Sequence, residues 1–196
     1  MDTNNSLTPP TFPAYPTNGG PLHVARPKLG TWYAEPKYNG WRALVHAPSG
    51  AMWNREGKRL SIAHEFQKAL AQIRALPFAW LDCEALERRH GIGRGSLIVL
   101  DLVLPELIYT QRRALLTKQF PLCPEPEHVQ ENAIYVTPSH CDAAGLWSDL
   151  QLVTGHSSLV TFFEGLVMKK ADSLYPMQLR SPKEPCRAWV KHRWQF

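Results

Sequence analysis

The sequence predicts an α+β fold in which two antiparallel β-sheets are flanked by helices. Short apolar segments bounded by turn residues outnumber the helical patterns, and several follow one another closely enough to form hairpins. Hydrophobic residues make up 44% of the 196 residues, which suits the packed core of one domain. We place that domain at residues 31–196 and a proline-rich arm at residues 1–30.

The predicted elements follow one another from residue 32 onward. A helix is expected over 62–76, where apolar residues recur at helical spacing and Ser61 is a suitable cap. Two further helices are expected over 110–120, with a basic face, and over 142–154. The predicted strands cover 32–36, 41–46, 51–54, 78–86, 96–104, 134–137, 164–170 and 188–194.

The arm is recognised by its composition. Its prolines are Pro9, Pro10, Pro13, Pro16, Pro21 and Pro27, interspersed with Asn, Thr and Gly. Such a composition favours an extended or mobile segment, and we expect its end to rest on the domain.

Composition and charge argue against several classes of protein. No apolar run approaches membrane-spanning length, and residues 1–5 lack the basic and apolar regions of a signal peptide. Four widely spaced cysteines without a CxxC pair argue against a zinc site or a disulfide framework, so we expect a cytoplasmic protein. The net charge is +5, and seven basic against three acidic residues place +4 of it between 160 and 196. This charge permits a polyanionic partner, although a solvated basic face has the same pattern.

Lys37 is the first candidate functional residue. It stands within Glu35-Pro36-Lys37-Tyr38-Asn39-Gly40-Trp41-Arg42, which we interpret as a short turn between two apolar runs. Gly40 allows the backbone to bend sharply and a ligand to approach without meeting a Cβ. A lone lysine on a turn is weak evidence, so its interpretation depends on the residues that follow.

Acidic residues inside apolar strands supply that further evidence. Asp82, Glu84, Asp101 and Glu164 all stand in predicted strands. Because ionised carboxylates are seldom buried alone, each should be paired or should face a cleft. Near residue 190, apolar and basic residues alternate, so a strand there would place Lys191 and Arg193 on one face.

These residue types are the ones that nucleotidyl transfer needs. A neutral amine attacks the α-phosphorus of a nucleoside triphosphate, and cations with a divalent ion stabilise the phosphate charge. Lys169, Lys191 and Arg193 are the candidate cations. Glu164 is a candidate ligand for Mg²⁺, and Glu84 could accept hydrogen bonds from ribose hydroxyls.

The order of these segments resembles the motif order of the covalent nucleotidyltransferases. That superfamily comprises ATP-dependent DNA ligases, RNA ligases and mRNA capping enzymes. Its motifs are, in order, K-x-D-G-x-R, D-G-E, an aromatic-containing strand, E-G-[LIV]-[VM]-x-K and W-x-K-x-K. The matching segments here are Lys37 to Arg42, Leu81 to Glu84, Leu97 to Leu102, Glu164 to Lys169 and Trp189 to Arg193. The resemblance spans residues 32–196, and the best match is to the small ATP-dependent DNA ligases of phages and bacteria. It implies an ATP-grasp-like nucleotidyltransferase domain.

The resemblance also implies roles for individual residues around the nucleotide. Lys37 would form the covalent bond to AMP, Glu35 would lie beside the adenine, and Glu84 would bind the ribose. Lys169 and Lys191 would contact the α-phosphate and assist its transfer.

Further roles concern the metal and the nucleic acid. Glu164 would assist binding of Mg²⁺, or of Mn²⁺ in its place. Arg42 would contact the ribose side or the nucleic-acid 5′-phosphate, and Arg55 would help to hold the substrate phosphate. Arg193 would bind the nucleic acid and, beside Lys191, contact the α-phosphate. The implied partner is a nicked duplex, bound by a monomer that uses ATP and prefers DNA. The alternatives are an RNA or hybrid ligase, or a nucleic-acid-binding relative that has lost catalysis.

The chain departs from the family pattern in five places, two of which are Cys83 in place of a glycine and Arg193 in place of a lysine. Asn39 stands where the family has Asp, and Leu100 stands where an aromatic side chain would stack on adenine. The chain stops soon after Arg193, so we expect no OB-fold domain here. Nucleic-acid contacts would then come from the basic stretch over 160–196 and from three residues of the 110–120 helix, Arg112, Arg113 and Lys118.

Overall fold

A computed structural model describes residues 7–22, 30–86, 91–155 and 162–194. The predicted fold class is confirmed, because these residues form two β-sheets with flanking helices and contain no OB-fold. The strands are β1 Tyr15–Asn18, β2 Trp32–Tyr38, β3 Trp41–His46, β4 Ala51–Asn54, β5 Trp80–Leu86, β6 Ser96–Leu102, β7 Ile134–Val136, β8 Phe163–Lys170 and β9 Pro185–Arg193. The helices are α1 Gln67–Ile73, α2 Tyr109–Gln119 and α3 Ala143–Gly155.

The two sheets are mixed. One has the strand order β1-β9-β8-β2 and the other β4-β3-β5-β6-β7. Most pairs are antiparallel as predicted, but β1 runs parallel to β9, and β6 runs parallel to β7. The prediction of purely antiparallel sheets was therefore wrong at one pair in each sheet. Both parallel pairs join strands that are distant in sequence. A hairpin pattern predicts only antiparallel pairing of neighbouring strands, so it could not predict these two pairs.

Three local predictions need correction. Lys37 lies inside β2, and the turn begins only after Tyr38. Ser61 caps no helix with its side chain; it opens a 3₁₀ segment, Ser61–Phe66, that leads into α1. Within the segment predicted as an arm, β1 is a paired strand, while residues 1–6 and 23–29 lie outside the described part.

The second sheet is buried on both faces, and strand alternation divides its side chains. Ala43 and Val45 of β3 join a core that includes residues of α1 and α2. The alternate residues Arg42 and Leu44 face the other way, toward the first sheet. Arg42 is directly opposite Glu84 of β5 in the register, so both side chains point into the space between the sheets.

Helix α3 closes the other side of the first sheet. Asp142 caps it, since Oδ1 accepts hydrogen bonds from the backbone N–H groups of Ala144 and Gly145, each at 3.0 Å. Leu146 and Leu150 then pack into a core shared with β2 and β8. None of the described helices combines the length and apolar character needed to cross a membrane.

Helix α2 is anchored by a buried ion pair. Arg112 is fully buried, and its Nε lies 2.7 Å from Oδ1 of Asp101 on β6. It also donates to the carbonyl oxygen of Ser173 at 3.0 Å. The prediction that Arg112 contacts nucleic acid was therefore wrong, because its guanidinium is buried and paired with Asp101. The sequence pattern predicted a basic face on this helix because Arg112 and Arg113 are neighbours. It did not indicate that the Arg112 side chain points into the core.

Arg112→Met should destabilise the fold by about 3 kcal/mol, because it removes one partner of a buried ion pair and keeps most of the side-chain volume. Urea denaturation measures the loss. Lys118→Met, at an exposed position of the same helix, should change stability by less than about 0.5 kcal/mol. Equal stabilities for the two variants would contradict the anchoring role.

Candidate functional site

A cleft of about 570 Å³ opens between the two sheets. It is lined by residues of the N-terminal segment, of both sheets and of the loop after β4. The charged residues that line it are Glu35, Lys37, Arg42, Arg55, Glu56, Glu84, Glu164, Lys169, Lys191 and Arg193. The charged residues to which the resemblance assigned roles at the nucleotide, the metal or the substrate phosphate are all at this cleft, together with Leu100.

The register of β2, β8 and β9 explains why these residues meet. Residues directly opposite each other in antiparallel strands point to the same face. Lys37 is opposite Gly165, which is opposite Arg193. In the next inward row, Glu35, Val167 and Lys191 are aligned in the same way.

Gly165 occupies the middle of the outermost row and has no side chain to fill it. Its φ of 141° is a conformation that other residues rarely adopt. A Cβ at this position would lie 2.0 Å from the carbonyl oxygen of His192 on β9. Glycine therefore permits the close approach of β8 and β9 at this row.

Lys37 forms an ion pair with Glu164 at the wall of the cleft. The two side chains are partly exposed, at 18% and 28%, so a ligand can reach both. Arg193 also pairs with Glu164, with Nη2 2.9 Å from the same Oε2. One carboxylate oxygen thus holds two cations from different strands beside each other.

Lys169 lies beneath the cleft. Its Nζ is 2.9 Å from Oε2 of Glu35 and 2.7 Å from the carbonyl oxygen of Leu100, and it sits 4.1 Å from the ring centre of Trp189. Glu35 and Lys169 are both about 1% exposed. The Lys169 ammonium thus connects the two sheets, through Glu35 in one and Leu100 in the other, and does not project into the open cleft.

Glu35 has a second partner that sequence reasoning missed. The hydroxyl of Tyr109, on α2, donates to its Oε1 at 2.7 Å. Both carboxylate oxygens are therefore engaged by protein groups, which limits what Glu35 can offer to a base. The signal for this contact was weak, since Tyr109 is separated from Glu35 by 74 residues.

Arg42 forms a bidentate pair with Asp82. Its Nε and Nη2 lie 2.5 and 2.7 Å from the two carboxylate oxygens. Nη2 also donates to the carbonyl oxygen of Ala14 at 3.2 Å, and the Tyr175 hydroxyl donates to Asp82 at 2.6 Å. Sequence reasoning left Asp82 without a partner; the structure shows that it orients the Arg42 guanidinium at the cleft wall.

Glu84 faces the cleft from β5. Its Oε1 accepts a hydrogen bond from the backbone N–H of Gly40 at 3.0 Å. Gly40 must be small, since a Cβ there would lie 2.8 Å from the carbonyl oxygen of Ala85. Burial raises the pKa of Glu84 to about 7, although Lys37 and Arg42 act in the opposite direction.

Lys191 and Arg55 lie toward the N-terminal segment. The Lys191 ammonium donates to the Tyr15 hydroxyl oxygen at 3.1 Å and lies 4.3 Å from the centre of that ring. Arg55 is more exposed, and its Nε is 3.4 Å from Oε1 of Glu56. Neither the proline-rich composition of the arm nor any spacing pointed to Tyr15.

The two unusual positions of the pattern have different locations. Leu100 lines the cleft with its partly buried side chain. Asn39 follows β2, and its backbone N–H donates to the carbonyl oxygen of Phe162 at 3.0 Å. An aliphatic surface therefore stands where the pattern has an aromatic side chain.

The described residues contain no group of three His, Cys, Asp or Glu side chains that would hold a metal ion. The cleft carboxylates are Glu35, Glu56, Glu84 and Glu164. Of these, Glu164 is the one held between two cations at the open end. All four cysteines are free thiols.

Solved structures share this fold, whereas no protein-family model and no curated protein matches the sequence. The ligase domain of M. tuberculosis LigD aligns with 98% of this chain at 21% identity and a TM-score of 0.63. A mycobacterial DNA ligase D complexed with ATP aligns with 98% at 23% identity and a TM-score of 0.61. An archaeal ATP-dependent RNA ligase aligns with 93% at 18% identity and a TM-score of 0.55.

These comparisons confirm the fold that the motif order implied. The chain has the fold of the nucleotidyltransferase domains of ligases, and at these identities the likeness concerns the fold. It spans 61% and 62% of the two DNA ligase chains and 48% of the RNA ligase chain.

The raised pKa of Glu84 predicts a pH-dependent stability. Between pH 4.5 and about 7 the folded protein keeps a proton that the unfolded chain has lost, so stability falls as the pH rises. The full effect is about 3 kcal/mol. Glu84→Gln keeps an oxygen for the Gly40 N–H and should remove this contribution, which urea denaturation at a series of pH values measures.

The matched control for that series is Glu127→Gln, at an exposed position far from the cleft. It should have the same pH dependence as the unchanged protein. If Glu84→Gln also kept the original dependence, Glu84 would not hold a proton in the folded state near neutral pH.

Proposed function

We propose that this chain is the adenylyl-transferring domain of an ATP-dependent polynucleotide ligase, over residues 31–196. It would seal nicks between a 5′-phosphate and a 3′-hydroxyl, with DNA preferred, through a lysyl-AMP intermediate. The observation that carries the proposal is the position of Lys37, on the wall of the cleft and paired with Glu164 beside Arg193. The ligase fold of the chain supports the same conclusion.

The first step uses groups already in contact. Lys37 gives a proton to the Glu164 carboxylate with which it is paired, and the neutral Nζ attacks the α-phosphorus of ATP. A nitrogen–phosphorus bond forms, the bond from the α-phosphorus to the bridging oxygen breaks, pyrophosphate leaves, and the nitrogen releases its second proton to solvent. Lys191 and Arg193 stabilise the charge that develops on the phosphate oxygens.

The nucleoside would lie deeper in the cleft. Leu100 and Val167 supply aliphatic surface for the base, and Glu84 is placed to bind ribose hydroxyls. Lys169 and Glu35 hold each other below this surface, so they would shape the base site. We therefore propose that they act on ATP mainly by fixing the floor of the cleft. The structure of the mycobacterial DNA ligase D with ATP supports ATP as the nucleotide.

The residues present fit a magnesium ion that arrives with the triphosphate. Mg²⁺ commonly binds through one or two carboxylates together with substrate phosphates and waters. Glu164 would be its protein ligand here, and Mn²⁺ could replace it. When bound, the metal would neutralise phosphate charge.

Two further transfers would complete ligation. An oxygen of the 5′-phosphate attacks the phosphorus of the lysyl-AMP; the nitrogen–phosphorus bond breaks, and Lys37 regains a proton. The 3′-hydroxyl then attacks the activated 5′-phosphorus, loses its proton and expels AMP. Arg55 and Arg193 are the exposed cations of the cleft that would contact the nucleic acid, while Arg42 keeps the Nη1 edge of its guanidinium for a phosphate. A monomer suffices for these contacts.

An RNA ligase is the second candidate, because an archaeal ATP-dependent RNA ligase has the same fold. The cleft residues serve the nucleotide-transfer chemistry equally well for either sugar. A panel of nicked DNA, nicked RNA and hybrid duplexes separates the two functions. We expect sealing of the DNA nick; sealing confined to RNA would replace DNA ligase by RNA ligase.

Lys37→Ala should abolish covalent labelling. Incubation with α-labelled ATP and Mg²⁺, followed by a denaturing gel, should label the unchanged protein but not this variant, because no other nucleophile replaces Nζ. Lys68→Ala, at an exposed position of α1, should label normally. Label that persists in Lys37→Ala would refute the nucleophile, and an unlabelled native protein would favour a binding relative that has lost catalysis.

A further inference from the structure

The six basic side chains that line the cleft differ in their partners. Carboxylates pair with Lys37, Arg42, Arg55, Lys169 and Arg193. Lys191 is different: within the part of the chain that the structure describes, no carboxylate is recorded within 4.0 Å of its ammonium. Its recorded partner is the neutral Tyr15 hydroxyl, at 3.1 Å.

This difference has an electrostatic consequence. A carboxylate that orients a cation also cancels most of its charge. A phenol oxygen can accept the same hydrogen bond, and its ring can face the ammonium, without cancelling that charge. The distance of 4.3 Å from Nζ to the centre of the Tyr15 ring allows both contacts. Lys191 is thereby oriented while its positive charge stays available for an anion.

The backbone around Tyr15 is held in place. On one side, the N–H of Ala14 donates to the Tyr175 hydroxyl at 3.3 Å, and its carbonyl oxygen accepts from Arg42 at 3.2 Å. On the other side, the Thr17 hydroxyl donates to the carbonyl oxygen of Cys186 at 3.3 Å. Tyr15 therefore meets Lys191 from a fixed position.

The contact continues along the strand pair. The N–H of Gly19 donates to the carbonyl oxygen of Lys191 at 3.0 Å. A Cβ at Gly19 would lie 2.5 Å from Cγ1 of Val190, so the segment is packed tightly against β9. His192 extends the attachment, with Nδ1 2.9 Å from the carbonyl oxygen of Gly20.

We propose that Tyr15 is a positioning residue that orients the Lys191 ammonium toward the phosphates of the nucleotide without neutralising it. The proposal rests on the proposed function, since it concerns how Lys191 assists the attack of Lys37. It also gives the N-terminal segment a direct part in the reaction. The lowered pKa of Tyr15, caused by its hydrogen bond from Lys191 and by the Lys191 charge, is consistent with this pairing.

Single-turnover labelling with α-labelled ATP tests the proposal. Tyr15→Phe keeps the ring and removes the oxygen, so the maximal labelling rate should fall about tenfold. The ATP concentration for half-maximal rate should rise by about twofold, a smaller effect than that on the rate, because the residue acts through Lys191 mainly on the transfer step. Tyr33→Phe, which removes a hydroxyl outside the cleft, should label at the original rate. Equal rates for Tyr15→Phe and the unchanged protein would overturn the proposal.

A double-mutant cycle separates positioning from a purely structural effect. If Tyr15 acts through Lys191, the double variant Tyr15→Phe with Lys191→Ala should be no slower than Lys191→Ala alone, within about twofold. Losses that multiply would overturn the proposal. Urea denaturation of each variant should give the midpoint of the unchanged protein, because Tyr15 is only partly buried.

A native protein that takes no label would refute the proposed function but still leave this inference measurable. The same cycle is then run on the dissociation constant of ATP, measured by calorimetry. Tyr15→Phe and Lys191→Ala should each raise it, and their combination should raise it no further. An unchanged dissociation constant in Tyr15→Phe, or no ATP binding at all, would overturn the proposal.

Discussion

The buried Lys169 ammonium is the interaction on which the cleft depends. From β8 it reaches Glu35 on the neighbouring strand and the carbonyl oxygen of Leu100 on the second sheet. Its charge also lies 3.5 Å from Asp101, which Arg112 pairs with in turn. Burial alone would raise the pKa of Asp101, but Lys169 and Arg112 hold it below its ordinary value. A charge chain thus joins the two sheets, and neither sheet can shift without leaving a buried charge unpaired.

Above that chain, strand register separates two kinds of side chain. Positions beneath the cleft, such as Glu35 and Lys169, are saturated by protein partners and act as a rigid floor. Positions at the open end, such as Lys37 and Glu164, are paired but partly exposed. Both kinds of position lie on the same face of the sheet, because residues two apart along a strand point to the same side. Reactive groups are therefore placed on a support that does not itself need to react.

Much of this arrangement could be predicted from the sequence, and the failures have a common cause. The apolar strands, the helices and the gathering of Lys37, Glu84, Glu164 and Lys191 at one cleft follow from local patterns and motif order. The main missed features depend on partners in other secondary-structure elements. Arg112 turns inward because Asp101 is there, and β1 is a strand because β9 lies beside it. Charge, composition and periodicity describe a residue's own neighbourhood, and they carry no information about such partners.

The parallel pairing of β1 with β9 has a consequence for how the chain folds. Tyr15 pairs with Pro185, so some 170 residues separate the partners along the chain. During synthesis from the N-terminus, β1 exists long before β9 and must wait for it. The second sheet, whose strands lie between them in sequence, can assemble in the meantime. The wall of the cleft beside Lys191 is then the last part to form. A chain still being synthesised can therefore contain the folded second sheet before the cleft is complete.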